Sequence, residues 1–201
     1  MASSRFRGAL LGAVLALLFL PVPGGAQILE IVPQIGGTLM QYGGDAIESS
    51  GELGFTAGGK VRIGSGTYLD GGLFWTYQGG RIDVASPING TTSDVFYVRT
   101  VRVPVTVGIR LVQARLVNLR VFGGGVANFV AGTGDSDFGF SKDDLKRVNY
   151  GLRGGVGADI LMIAVDVAYE YGITNVFEDE AGLGDVKQKG VVVEAGLRIA
   201  M

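Results

Sequence analysis

The chain has 201 residues, 17 lysines and arginines against 19 acids, and neither cysteine nor histidine. So even a balance gives no basic footprint for nucleic acid, and the lack of cysteine removes both a disulfide framework and a lipid-anchor thiol. Its 35 glycines are dispersed among apolar residues, which is not the composition of a disordered low-complexity chain.

Residues 1–26 carry Arg5 and Arg7, run apolar from Ala9 to Leu20, and close on small residues up to Ala26. This is the layout of a cleaved secretory signal peptide, followed by one domain over 27–201; the apolar run is too short to cross a bilayer as a helix. From residue 28 onward a period of two replaces any helical period. Eight stretches carry it: 28–42, 51–64, 68–78, 95–112, 118–131, 148–160, 163–175 and 189–201. Connections near 43–50, 79–94, 132–147 and 176–188 are long and polar, whereas those near 65–67, 113–117 and 161–162 are short. Long connections at one end and tight turns at the other predict an all-β fold. It is an eight-stranded antiparallel up-and-down transmembrane β-barrel, with both termini at the short-turn end.

In each stretch a run of alternate positions is free of charge. It runs from Ile31, Ile35 and Leu39 in the first stretch, through alternate residues of Leu53–Ile63, Leu69–Tyr77, Val101–Leu111, Leu119–Phe129, Tyr150–Ile160 and Ile163–Ile173, to Val191–Met201 in the last. With 18% of all residues charged, a random face of this size would carry several charges. The opposite face holds Glu30, Glu52, Lys60, Arg62, Asp70, Arg102, Arg110, Arg120, Arg153, Asp159, Asp166, Glu170, Glu194 and Arg198, acids and bases in equal number. A water-exposed sandwich face could show this mixture, but sandwiches interrupt their alternation at bulges and corners. In addition, Phe55, Trp75, Tyr77, Phe129, Tyr150 and Tyr171 gather toward the long-loop ends, as an interfacial aromatic girdle does. No matching belt occurs at the short-turn end. The apolar face is therefore expected to meet lipid and the charged face to line the lumen.

A lumen of eight strands is filled by its own side chains, and charges confined there must pair. The expectation is a salt-bridge plug, most of it in the short-turn half, with Glu194 opposite Arg102 or Arg153. Inward glycines, among them Gly58, Gly72, Gly108, Gly155 and Gly157, are expected to make room for the arginines. Pro104 inside a strand predicts a bulge or local water access. Asp166 and Glu170 share a face and are expected to pair with arginine, not with each other. Without histidine or cysteine no ordinary nucleophile–base pair can be assembled, so an enzyme is not expected. The glycine runs at 122–128 and 151–159 lack the strand-then-helix setting of a phosphate loop. The acidic loops (Asp45, Glu48; Asp135, Asp137, Asp143, Asp144; Glu178, Asp179, Glu180, Asp185) lack an EF-hand pattern, and no cofactor or metal is expected.

Two segments carry a family resemblance. YVRTVRVPVTVGIRL (97–111) resembles the strand of PorT-like outer-membrane β-barrels that ends in Ile-Pro-Leu and a basic residue. Val103, Pro104 and Val105 stand at those positions, with Arg110 later. VDVAYEYGITNV (165–176) resembles the family's Asp-x-x-Tyr-x-Tyr-Gly-Leu-Thr-Asn pattern at Asp166, Tyr169, Tyr171, Gly172, Thr174 and Asn175. The resemblance implies a small barrel in the outer membrane of a Bacteroidota-like bacterium, in a family with some members linked to protein secretion. The expected partners are outer-membrane lipid and lipopolysaccharide, the barrel-insertion machinery, and a protein the sequence does not name. The expected role is structural or interaction-based through the loops; the alternative is a narrow channel or secretion accessory.

Overall fold

The computed structural model describes the backbone of residues 29–44, 47–48, 52–86, 90–114, 116–133, 148–174 and 187–201. Side chains are described at 29–41, 53–79, 98–114, 116–132, 148–174 and 187–201. Eight strands make the wall: β1 (Leu29–Gly44), β2 (Glu52–Gly64), β3 (Thr67–Ser86), β4 (Gly90–Gln113), β5 (Val117–Thr133), β6 (Val148–Ile160), β7 (Ile163–Gly172) and β8 (Lys187–Leu197). Ile199–Ala200 continues β8 beyond Arg198 and pairs with the start of β1, and Ile47–Glu48 folds back on the end of β1. Each strand is antiparallel to its neighbour in sequence, and β8 pairs with β1 from Gly196↔Gln34 to Lys187↔Gly43. The sheet therefore closes and leaves the wall no free edge. The signal-peptide assignment and nearly all of the acidic loop residues lie outside the described residues.

The closure is steeply staggered. A row of paired residues leaves Phe55 near the long-loop rim and passes through Gly37, Val193, Val167, Val156, Val121 and Ile109. It ends at Thr67, beside the β2–β3 turn at the other rim. Strands this strongly tilted close a narrow barrel.

Among the described side chains every strand keeps the predicted faces: the apolar positions point out and the predicted charged positions point in. The boundaries agree closely except at the second long connection. Residues 79–94 were expected to form a polar loop, but β3 and β4 run on together from Gly79↔Tyr97 to Ser86↔Gly90. Ile82, Val84, Thr91, Thr92 and Val95 favour strand. Polarity concealed a ribbon that rises above the wall.

Pro104 produces no bulge. Gly71↔Val105 and Phe74↔Arg102 hold one register on either side of it, and only the two intervening pairs with β3 are missing. The proline lacks the N–H that this ladder needs, and its ring packs inward against Gly72. The register shifts of β4 lie instead at Arg99/Thr100 and Arg110/Val112.

Candidate functional site

Strand parity aims thirteen of the predicted charged side chains into the lumen, where they form two layers. The side chain of the fourteenth, Glu52, lies outside the described residues; its backbone pairs with Met40. The lower layer, toward the short turns, is built around Arg62. Its guanidinium reaches Glu30 at 2.9 Å, Asp70 at 3.0 Å and Asp159 at 3.4 Å. Arg110 and Arg198 approach the second oxygen of Glu30 at 2.8 and 3.3 Å. Arg120 bonds Asp159 at 2.8 Å and also Asp166, which in turn pairs with Lys60 and accepts from the Gln34 amide at 3.0 Å. The chain of contacts is unbroken from Arg198 to Lys60.

The upper layer is a closed ring. Arg153 donates to Glu170 and to Glu194, both at 2.6 Å, while Arg102 pairs with Glu170 and stands 3.7 Å from Glu194. Glu194 thus faces both of the arginines expected for it. Asp166 and Glu170 each pair with cations, as expected, and belong to different layers.

Between the layers sits Phe122, with the Lys60 ammonium 5.9 Å from its ring centre and the Arg153 guanidinium 5.8 Å from it. Tyr68 plays a similar part lower down, with Arg62 at 4.8 Å and Arg110 at 5.4 Å. Sequence reasoning passed over these two rings, and over Gln34, Phe74 and the bonded Thr56–Thr76 pair (3.0 Å). Their even-numbered, inward positions were the available signal. A space of about 10 Å³ remains between the layers, bordered by Lys60, Phe122, Arg153 and Glu194. It has room for one water.

Among the described inward glycines, Gly157 is the one set directly against an arginine. A side-chain carbon on Gly157 would collide with the Arg120 guanidinium and the Asp166 carboxylate. At Gly108 it would enter the Tyr68 ring, at Gly58 and Gly72 it would crowd Phe74, and at Gly155 Phe122. In a barrel this narrow, the aromatic spacers and the neighbouring backbone consume most of the room that glycine releases.

On the outside, all six predicted girdle aromatics are exposed. Phe55 pairs with Tyr77, and Trp75 and Phe129 both pair with Val101. Tyr150 lies opposite Ala127, its N–H donating to the Thr174 hydroxyl at 2.9 Å, and Tyr171 lies opposite Leu152. Below them the described wall is apolar; Ile35 and Leu73 are each 62% exposed. Among the described residues no group of histidine, cysteine or carboxylate side chains could hold a metal ion, and no helix is long and apolar enough to cross a membrane.

No protein-family model matches the chain, and no curated protein matches it. Solved structures do. The attachment invasion locus protein Ail of Yersinia pestis, crystallised with the heparin analogue sucrose octasulfate, is 18% identical, with 85% of this chain and 99% of that chain covered and a TM-score of 0.48. Neisserial surface protein A is 9% identical, over 85% and 97% of the two chains, at a TM-score of 0.44. LpxR from Salmonella typhimurium is 10% identical, over 83% and 99%, at a TM-score of 0.31.

Proposed function

We propose that this chain is an integral outer-membrane barrel, exported by its 1–26 leader, whose lumen is closed by ion pairs and whose long loops act on partners outside the cell. One observation carries the reading: the polarity of the fold is inverted. The large apolar side chains stand on the exposed surface all around the wall, while arginines and carboxylates fill the centre. In water such a wall would be one continuous apolar patch, far beyond what a soluble monomer exposes. In a bilayer the same wall is solvated by hydrocarbon, and the closed ladder satisfies every wall strand on both sides.

The PorT-like resemblance belongs to this proposal, since its motif residues hold structural places. Asp166 joins Lys60 to Arg120 at the heart of the lower layer, and Thr174 caps the N–H of Tyr150. The absence of histidine and the pairing of the lumen carboxylates with cations argue for a scaffold, with no catalytic role. Membrane fractionation with gel migration of unheated and boiled protein tests the reading. The expected result is release from washed membranes by detergent alone and a migration shift on boiling. A folded, monomeric protein in detergent-free buffer would sink it.

A further inference from the structure

The outer wall carries an apolar trough on its β4–β6 side. Along β5 the outward positions Gly123, Gly125 and Ala127 carry almost no side chain, while their partners across the ladder, Val107, Val105 and Val103, are bulky. With Tyr150 on the β6 side, these residues border an apolar trough of about 440 Å³ that opens outward.

The trough has a charged head. From Val103, β4 climbs outward through Val101 to Arg99, four residues and so about 13 Å further up the strand. Arg99 is exposed on the same face, and the ladder shifts register beside it, an irregularity of the kind that re-aims a side chain. Its partner across the ladder is Gly132, where a side-chain carbon would meet nothing within 4 Å. Every lumen arginine has a carboxylate partner; among the described residues Arg99 has none. Trp75 and Phe129 mark the interface level between trough and arginine, both paired with Val101.

We infer that the trough and Arg99 form one lipid site. An acyl chain lies along Gly123–Ala127 against the β4 valines and Tyr150, and Arg99 binds the phosphate of the headgroup above it. The occupant is an anionic, phosphate-bearing membrane lipid. Guanidinium binds phosphate oxygens in a two-pronged geometry that suits this pairing. The inference rests on the membrane-spanning reading and adds to it a place and a lipid class.

Trp75 is the chain's one tryptophan and stands at the site, so its fluorescence reports occupancy. The full chain is placed in phosphatidylcholine vesicles containing a small fraction of brominated phosphatidic acid or, separately, brominated phosphatidylcholine. Bromine quenches tryptophan on contact. The expected result is an apparent affinity about fivefold higher for the acidic lipid, lost in Arg99→Gln and reduced in Gly125→Leu, which fills the trough and keeps the charge. Lys189→Gln, which removes an exposed cation on β8, leaves the preference intact. Equal quenching by the two lipids, a preference that survives Arg99→Gln, or equal loss in Lys189→Gln overturns the site. So does removal of the preference by inorganic phosphate, which would make Arg99 a free-anion site. Each sample is also run unheated and boiled. A wild type that shows no migration shift and stays out of the vesicles removes the membrane-spanning reading itself. A folded barrel without lipid preference removes only the site.

Discussion

Glu194 illustrates what a single side chain decides inside this wall. It is fully buried and holds Arg153 at 2.6 Å. Glu194→Ala leaves Arg153 and Arg102 sharing Glu170 alone, and uncompensated buried charge is what makes breaking an ion pair costly. The expected loss is about 3–5 kcal/mol, read as a lower urea midpoint for unfolding from vesicles followed by Trp75 fluorescence. Replacing all four members of the ring with apolar residues of similar volume should cost less than Glu194→Ala, because no charge is then left stranded. A single variant no weaker than the fourfold one would show that the ring contributes little. Gly157→Val is the steric counterpart. Its side chain would displace Arg120 from Asp166, and the yield of folded, heat-shiftable protein should fall sharply.

Among the elements, the β3–β4 ribbon is separable from the wall. β2 last pairs with β3 at Phe55↔Tyr77, and β5 last pairs with β4 at Val98↔Thr133, so above these pairs the two strands have only each other as ladder partners among the described residues. An isolated two-stranded ribbon adds little stability. Replacing residues 80–96 with an Asn-Gly turn between Gly79 and Tyr97 should therefore leave the heat-dependent gel shift unchanged. Loss of that shift would mean the ribbon is needed for closure.

At the scale of the whole molecule, the two ion-pair layers stand in series along the axis, with Phe122 between them. Solute passage has to cross both. Planar-bilayer recordings should find the wild type silent, and a variant with Arg102, Arg153, Glu170 and Glu194 all changed to alanine should stay silent too. Conductance should appear only when Arg62, Arg120, Asp159 and Asp166 are also removed. Steady conduction by the wild type would contradict a closed lumen and favour a channel.

Strand alternation let the sequence alone determine which side chains point in and which point out, because the period of two is a local property of extended backbone. The even spacing of short and long connections likewise determined strand number and direction. Only the tertiary structure decided who meets whom. Glu30 gathers Arg62 and Arg110 from β2 and β4 and Arg198 from just beyond β8, and Asp166 gathers Gln34, Lys60 and Arg120 from β1, β2 and β5. Those meetings depend on stagger and tilt, which arise from closing the sheet on itself and leave no mark in any one strand. The same holds for the glycines: composition showed they were needed, but the close approach of Tyr68, Phe74 and Phe122 across a narrow lumen determined what they make room for.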